Sequence, residues 1–195
     1  MSKQNFEDKM PSSEQFEIEL IRVRYKQRYL SLLKNTVYSL LVVAAVSVLI
    51  ATLVLPVLEI HGSSMNPTFE NGDIVVSVKT TDLEKNDVCC FYYNNHILVK
   101  RVIATQGDVV NMDDDGNVYV NGVLLEEPYV SKKELGQCDL EFPYTVPERT
   151  VFVLGDNRST SVDSRNALIG CVSLDEVVGK IVFCVWPLPS FGFVR

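Results

Sequence analysis

At 195 residues and 21.9 kDa, with 47% hydrophobic residues, the chain can bury one medium-sized core and still supply a membrane segment. A formal net charge of -7 and a pI near 4.9 oppose phosphate, which excludes a nucleic-acid-binding module. The charge is uneven: residues 1–36 carry seven Lys or Arg against five Asp or Glu (+2), and residues 37–195 carry eleven against twenty (-9).

The chain opens with a polar, rather acidic stretch, Met1 to Glu19, that reads as a tail. From Phe16 onward Ile18, Ile21, Tyr25, Leu32 and Leu33 alternate with Arg22, Arg24, Lys26, Arg28 and Lys34, the pattern of a short basic juxtamembrane helix near anionic headgroups. Val37 to Leu58 then runs without a charge, and as a helix it would cover about 33 Å, a bilayer's hydrocarbon thickness. A cleaved signal sequence fits less well, because the charged leader is long and Pro56 to Ile60 offers no small-x-small site. Pro56 should kink or stop the helix. Five positive and no negative charges between Arg22 and Lys34 keep that side cytoplasmic, so His61 onward lies outside a plasma membrane. The domain organisation read from this is a cytoplasmic segment over 1–36, a transmembrane helix over 37–58 and an extracytoplasmic domain over 59–195.

Beyond the anchor the pattern is β. Strand runs are predicted at Asp73–Lys79, Asp87–Tyr93, Ile97–Ala104, Val109–Met112 and Val118–Val120, then Thr150–Leu154 and Val177–Trp186. Asn71-Gly72, Gly116-Asn117 and Asn121-Gly122 are turn signals between them. The fold expected is a mostly β, antiparallel, partly barrel-like domain, with 108–149 as a small ribbon and loop extension. The C-terminal apolar run reads as a strand ending at Pro187 rather than a membrane insertion. Cys89, Cys90, Cys138, Cys171 and Cys184 form no C-x-x-C pair and no zinc-site spacing with the histidines. Cys89 and Cys90 would face opposite sides of a strand, and an odd count argues against a disulfide scaffold even if Cys138 and Cys171 were bridged.

Three polar features interrupt the β pattern: Gly62-Ser63-Ser64-Met65-Asn66-Pro67-Thr68, Lys100-Arg101, and the loop Gly155 to Arg165. A serine hydroxyl needs a base within reach to act as a nucleophile. Lys100, between Leu98, Val99, Val102 and Ile103, can be that base if an apolar site lowers its pKa. From the pattern alone Lys100 reads more readily as a surface lysine guarding a strand edge, and the polar loop reads equally as a solvated turn. His61, three residues before Ser64, and His96 are the alternative bases.

The chain resembles the bacterial type I signal peptidases, membrane-bound Ser-Lys leader peptidases, in their short single-anchor form. The resemblance covers about 37–187 and rests on G-S-S-M-N-P-T, K-R-V-I-A-T-Q-G-D and G-D-N-R-S-T-S-V-D-S-R occurring in that order. It implies Ser64 as nucleophile and Lys100 as general base, with Ser161 orienting the lysine. Asp163 and Arg165, with Asp156 and Arg158, would support the loop. It further implies an oxyanion hole built on the Ser64 N–H, with Gly62 where some members carry a serine donor. Ile60, Met65, Leu98 and Val99 would contact an extended substrate. The implied reaction is cleavage of secreted preproteins after small-x-small sites such as Ala-x-Ala, without metal or organic cofactor. Partners would be signal-peptide-bearing preproteins and the lipid bilayer, met near the secretion translocon. The sequence specifies no oligomeric state, and a membrane-anchored, non-catalytic β binding domain is the reading left if the serine has no base.

Overall fold

The computed structural model describes residues 13–194, and the first twelve residues of the expected polar tail lie outside them. The chain divides into two units, Met1–Ala51 and Thr52–Arg195.

The first unit is helical. One continuous helix, α1 (Ser13–Val54), takes in the end of the expected tail, the basic segment and the apolar run, because no Gly or Pro interrupts the backbone between them. Its Leu, Val and Ile side chains up to Ile50 are exposed, and the hydroxyls of Thr36 and Ser47 donate to the Leu32 and Val43 carbonyls, which satisfies these two donors within the helix. This helix is the single membrane span among the described residues, and the β domain is extracytoplasmic. It ends at Val54 rather than at the expected Leu58. Pro56 has no N–H to donate and biases Leu55 away from helical geometry, so Val57 is free to enter a sheet.

The second unit is built of β1 (Val57–Glu59), β2 (Ile74–Val78), β3 (Val88–Tyr93), β4 (His96–Thr105), β5 (Val109–Met112), β6 (Val118–Val120), β7 (Val123–Leu124), β8 (Tyr144–Thr145), β9 (Thr150–Leu154), β10 (Val172–Ser173), β11 (Val177–Trp186) and β12 (Gly192–Phe193). Eight strands form one antiparallel sheet in the order β1-β2-β11-β3-β4-β9-β10, with β12 branching from β11, and the path does not close into a barrel. A four-stranded sheet, β7-β6-β5-β8, forms the extension.

Three apolar clusters hold these layers. Val110, Met112, Val118 and Val120 of the small sheet pack on Ile103, Ala104, Phe152 and Leu154, so the extension shares a core with β4 and β9. A second cluster joins Ile60, Met65 and Phe69 to Val75, Val88 and Ile181, and a third joins Cys89, Phe91, Val102 and Val153. Register shifts in β4 between Val102 and Ala104 and at three places in β11 bend the long strands. All five cysteines are free, the unbridged alternative for Cys138 and Cys171.

Candidate active site

The serine turn is fixed from both ends. Ile60 N–H donates to the Asp73 carbonyl and Ile60 accepts from Gly72, each at 2.8 Å, which pins the chain as it leaves β1. Gly62 then takes φ +93°, open to glycine at little cost, and its N–H donates to Asn71 Oδ1 at 3.0 Å. Met65 and Phe69, each 2% exposed, anchor the far side in the core. Ser64 is left half-buried between a glycine bend and a buried methionine.

Lys100 approaches from β4. Its cross-strand partner is Cys89, which puts its side chain on the inner face with Phe91, Leu98 and Val102. It is 3% exposed and Nζ lies 2.7 Å from Ser64 Oγ. This is not the position of a lysine guarding a solvated edge. His61 and His96 are exposed, and neither hydrogen-bonds Ser64 among the described residues.

The polar loop after β9 is a buried scaffold and not a solvated turn. Arg101 binds Asp156 through Nε and Nη2 at 2.9 and 2.8 Å, and Arg165 binds Asp163 through the same two nitrogens, both at 2.8 Å. Arg158 pairs with Glu127, which the small sheet contributes from beyond β7. Side chains in all three pairs are at most 1% exposed. Forked guanidinium–carboxylate contacts of this kind fix orientation as well as charge. Asp163 Oδ2 also accepts from Gly155 N–H at 3.0 Å, and Arg165 donates to the carbonyls of Leu135 and Arg158. Asn157 N–H donates to the Ser64 carbonyl at 3.0 Å, so the loop grips the backbone of the serine itself.

Ser161 is 4% exposed, and its Oγ has no hydrogen-bond partner among the described residues; the hydroxyl makes no bond to Lys100 here. It sits over Gly155. A Cβ on that glycine would lie 2.2 Å from Ser161 Oγ and 2.6 Å from the Ser64 carbonyl oxygen.

Burial pushes the Lys100 amine below the ordinary lysine pKa. Asp163 and Asp156 pull the other way and Arg165 adds to the depression. Because each carboxylate is paired with an arginine, its field at the lysine is partly offset and desolvation prevails.

Ser64 and Lys100 open on a cleft with about 100 Å³ of free space, lined by Ile60, His61, Gly62, Met65, Leu98 and Val99 among others. Both walls are strand edges. β4 pairs with β9 only from Arg101 onward, which leaves 97–100 unpaired on that side among the described residues. β1 is the end strand of its sheet.

Thus Ser64, Lys100, Gly62, Ile60, Met65, Leu98 and Val99 meet at one cleft, and Asp156, Arg158, Ser161, Asp163 and Arg165 form the layer behind it. Gly62 is at the cleft, but its N–H is already taken by Asn71. Thr68, Arg101 and Gly155 lie within the three polar features read from the sequence but were given no role there, and Glu127 and Tyr129 lay outside them altogether. Thr68 Oγ1 donates to Asp156, and Tyr129 lies with its ring 4.0 Å from the Arg101 guanidinium carbon. Arg101 stands next to Lys100, yet its partner is 55 residues away, and Glu127 looks like any charged turn residue.

A buried lysine thus lies at hydrogen-bond distance from a serine, on a β domain that follows a membrane helix in the chain. The sequence profile of the family described as Signal peptidase, peptidase S26 matches residues 33–186, and the chain belongs to that family. It is 36% identical over 155 residues to signal peptidase IB of Staphylococcus aureus (strain MRSA252), covering 69% of this chain and 79% of that one. Against signal peptidase I of Bacillus caldolyticus it is 35% identical over 150 residues, covering 69% and 81%. The crystal structure of a signal peptidase I from Enterococcus faecalis V583 aligns with 36% identity and a TM-score of 0.43, covering 51% of this chain and 96% of that one.

Proposed function

We propose that the protein removes N-terminal signal peptides from secreted preproteins after small-x-small sites such as Ala-x-Ala, with Ser64 as nucleophile and Lys100 as general base. The observation that carries this reading is the 2.7 Å approach of a buried, pKa-depressed lysine to Ser64 Oγ. Neutral Lys100 takes the Oγ proton as Oγ bonds to the scissile carbonyl carbon. The C–N bond then breaks, and the leaving amine receives its proton from the Lys100 ammonium. Water, deprotonated by the regenerated neutral Lys100, attacks the acyl-enzyme, and Lys100 returns that proton to Ser64 Oγ as the ester bond breaks. The scheme calls on no metal or organic cofactor.

The oxyanion is assigned to the Ser64 N–H. The Gly62 N–H can join it only by leaving Asn71, and removal of one such donor costs about 3 kcal/mol in other hydrolases. Ser161 is assigned to orient Lys100, on the ground that its hydroxyl is buried and unpartnered beside the site. The preprotein would lie extended between the edges of β1 and β4, adding backbone hydrogen bonds as a strand. The apolar lining beside Ile60, Met65 and Val99 is assigned to receive small side chains such as alanine. Substrates would be met at the bilayer, next to the secretion translocon.

Ser64→Ala, Lys100→Ala and Lys100→Arg should each lower cleavage of an Ala-x-Ala precursor by about 10³-fold or more with melting transitions retained. His61→Ala and His96→Ala should stay near wild type. Unchanged cleavage in Ser64→Ala or Lys100→Ala would sink the assignment.

A further inference from the structure

One turn beyond β7, Glu127-Pro128-Tyr129, reaches the base of the active site. Glu127 pairs with Arg158, whose Nε donates to the Gly155 carbonyl at 3.2 Å. Two residues on, the Tyr129 ring lies 4.0 Å from the Arg101 guanidinium carbon, and Arg101 grips both oxygens of Asp156. An aromatic face over a guanidinium attracts it and keeps water from it, which strengthens the ion pair beneath. Tyr129 Oη also reaches Asn86 Oδ1 at 3.4 Å, and Asn86 accepts from Arg101 through its carbonyl at 2.8 Å.

The groups bearing on the lysine are Cys89 from β3, Asp156, Asp163 and Arg165 from the loop after β9, and Ser64 itself. Asp163 is neutralised by Arg165, a neighbour in the same loop. Asp156 is different, because its arginine comes from β4 and is covered by a ring from the turn after β7.

We infer that Tyr129 is a positioning residue for proton transfer from Ser64 to Lys100: by covering Arg101 it keeps Asp156 neutralised, so this carboxylate does not hold a proton on the lysine. The inference rests on the Ser64–Lys100 reading. Without the ring, water reaches Arg101, its grip on Asp156 loosens, and the charge left on Asp156 favours the ammonium form of Lys100. Only the free amine accepts the serine proton, so the enzyme then needs a higher pH.

The test is kcat and KM against pH for the full-length enzyme in detergent micelles, with an internally quenched Ala-x-Ala peptide. Tyr129→Leu keeps apolar bulk without a ring. Its acid limb should rise by about one pH unit, which lowers kcat roughly tenfold on the acid side and leaves KM within about twofold. Tyr129→Phe keeps the ring and should retain the wild-type limb. Arg101→Lys keeps the charge but loses the fork, should shift the limb the same way, and decides the matter if Tyr129→Leu does not fold. An unshifted limb in folded Tyr129→Leu, or in Arg101→Lys where it stands in, overturns the inference, as does a Tyr129→Phe enzyme as impaired as Tyr129→Leu. If Ser64→Ala still cleaves, the Ser-Lys reading itself falls, whatever Tyr129 does. Full loss in Ser64→Ala with a wild-type Tyr129→Leu profile removes Tyr129 alone.

Discussion

Lys100 serves the proposed chemistry and the fold in opposite directions. Its folded pKa is depressed by burial, so at neutral pH the folded state must release or bury a proton that the unfolded chain keeps in water. For a base with a lowered folded pKa, stability rises with pH between the folded and the unfolded value. Lys100→Met should therefore be inactive but melt higher than wild type at pH 7, and differential scanning calorimetry should show the gap narrowing as pH approaches about 10.4. Gly155 makes a stricter demand, since an added Cβ would meet both Ser161 Oγ and the Ser64 carbonyl oxygen. Gly155→Ala should lower kcat about a hundredfold by displacing the serine. Adding Ser161→Gly should restore little of it, because the Ser64 contact remains, and steady-state assays of both variants decide this.

At the scale of elements, the long strands were readable because alternating Val, Ile and Phe at β2, β3, β4, β9 and β11 leave no helical alternative. The strands β1, β7, β8, β10 and β12 were not, since two or three residues carry too little periodicity and are set by the partner they meet; β6, as short as β1, was readable because the Gly116-Asn117 turn pairs it with β5. Much the same division runs through the site. Ser64 and Lys100 sit in short motifs with chemical sense, whereas Arg101–Asp156 and Arg158–Glu127 join residues 55 and 31 positions apart. The loop built on those pairs is also where charge and stability separate. Asp163→Asn leaves Arg165 buried without its counter-ion, a loss of about 3–5 kcal/mol by chemical denaturation. It also removes a negative charge that raises the lysine pKa, so residual activity should show an acid limb at lower pH than wild type. That direction is opposite to the one expected when Asp156 is uncovered.

For the whole molecule, nothing in the core depends on oxidation: the five thiols are free, and burial raises the pKa of Cys89, Cys90, Cys171 and Cys184 above the ordinary thiol value. A reducing agent should leave both the melting temperature and cleavage of a peptide substrate unchanged. The two open edges of the cleft have another consequence. A row of unsatisfied backbone groups is a template for any extended chain, and proteins ordinarily disable it with a lysine, a proline or a bulge. On β4 the open stretch 97–100 carries Ile97, Leu98 and Val99, its lysine points inward, and its bulge comes only at Val102–Ala104. An edge protected in the usual way could not take the extended preprotein proposed above. Such an open edge is also a hazard for self-association, one that confinement to a membrane plane raises, because tethered copies meet at a higher effective concentration. Concentrated micellar protein should form strand-paired oligomers on light scattering, and an Ala-x-Ala peptide should disperse them.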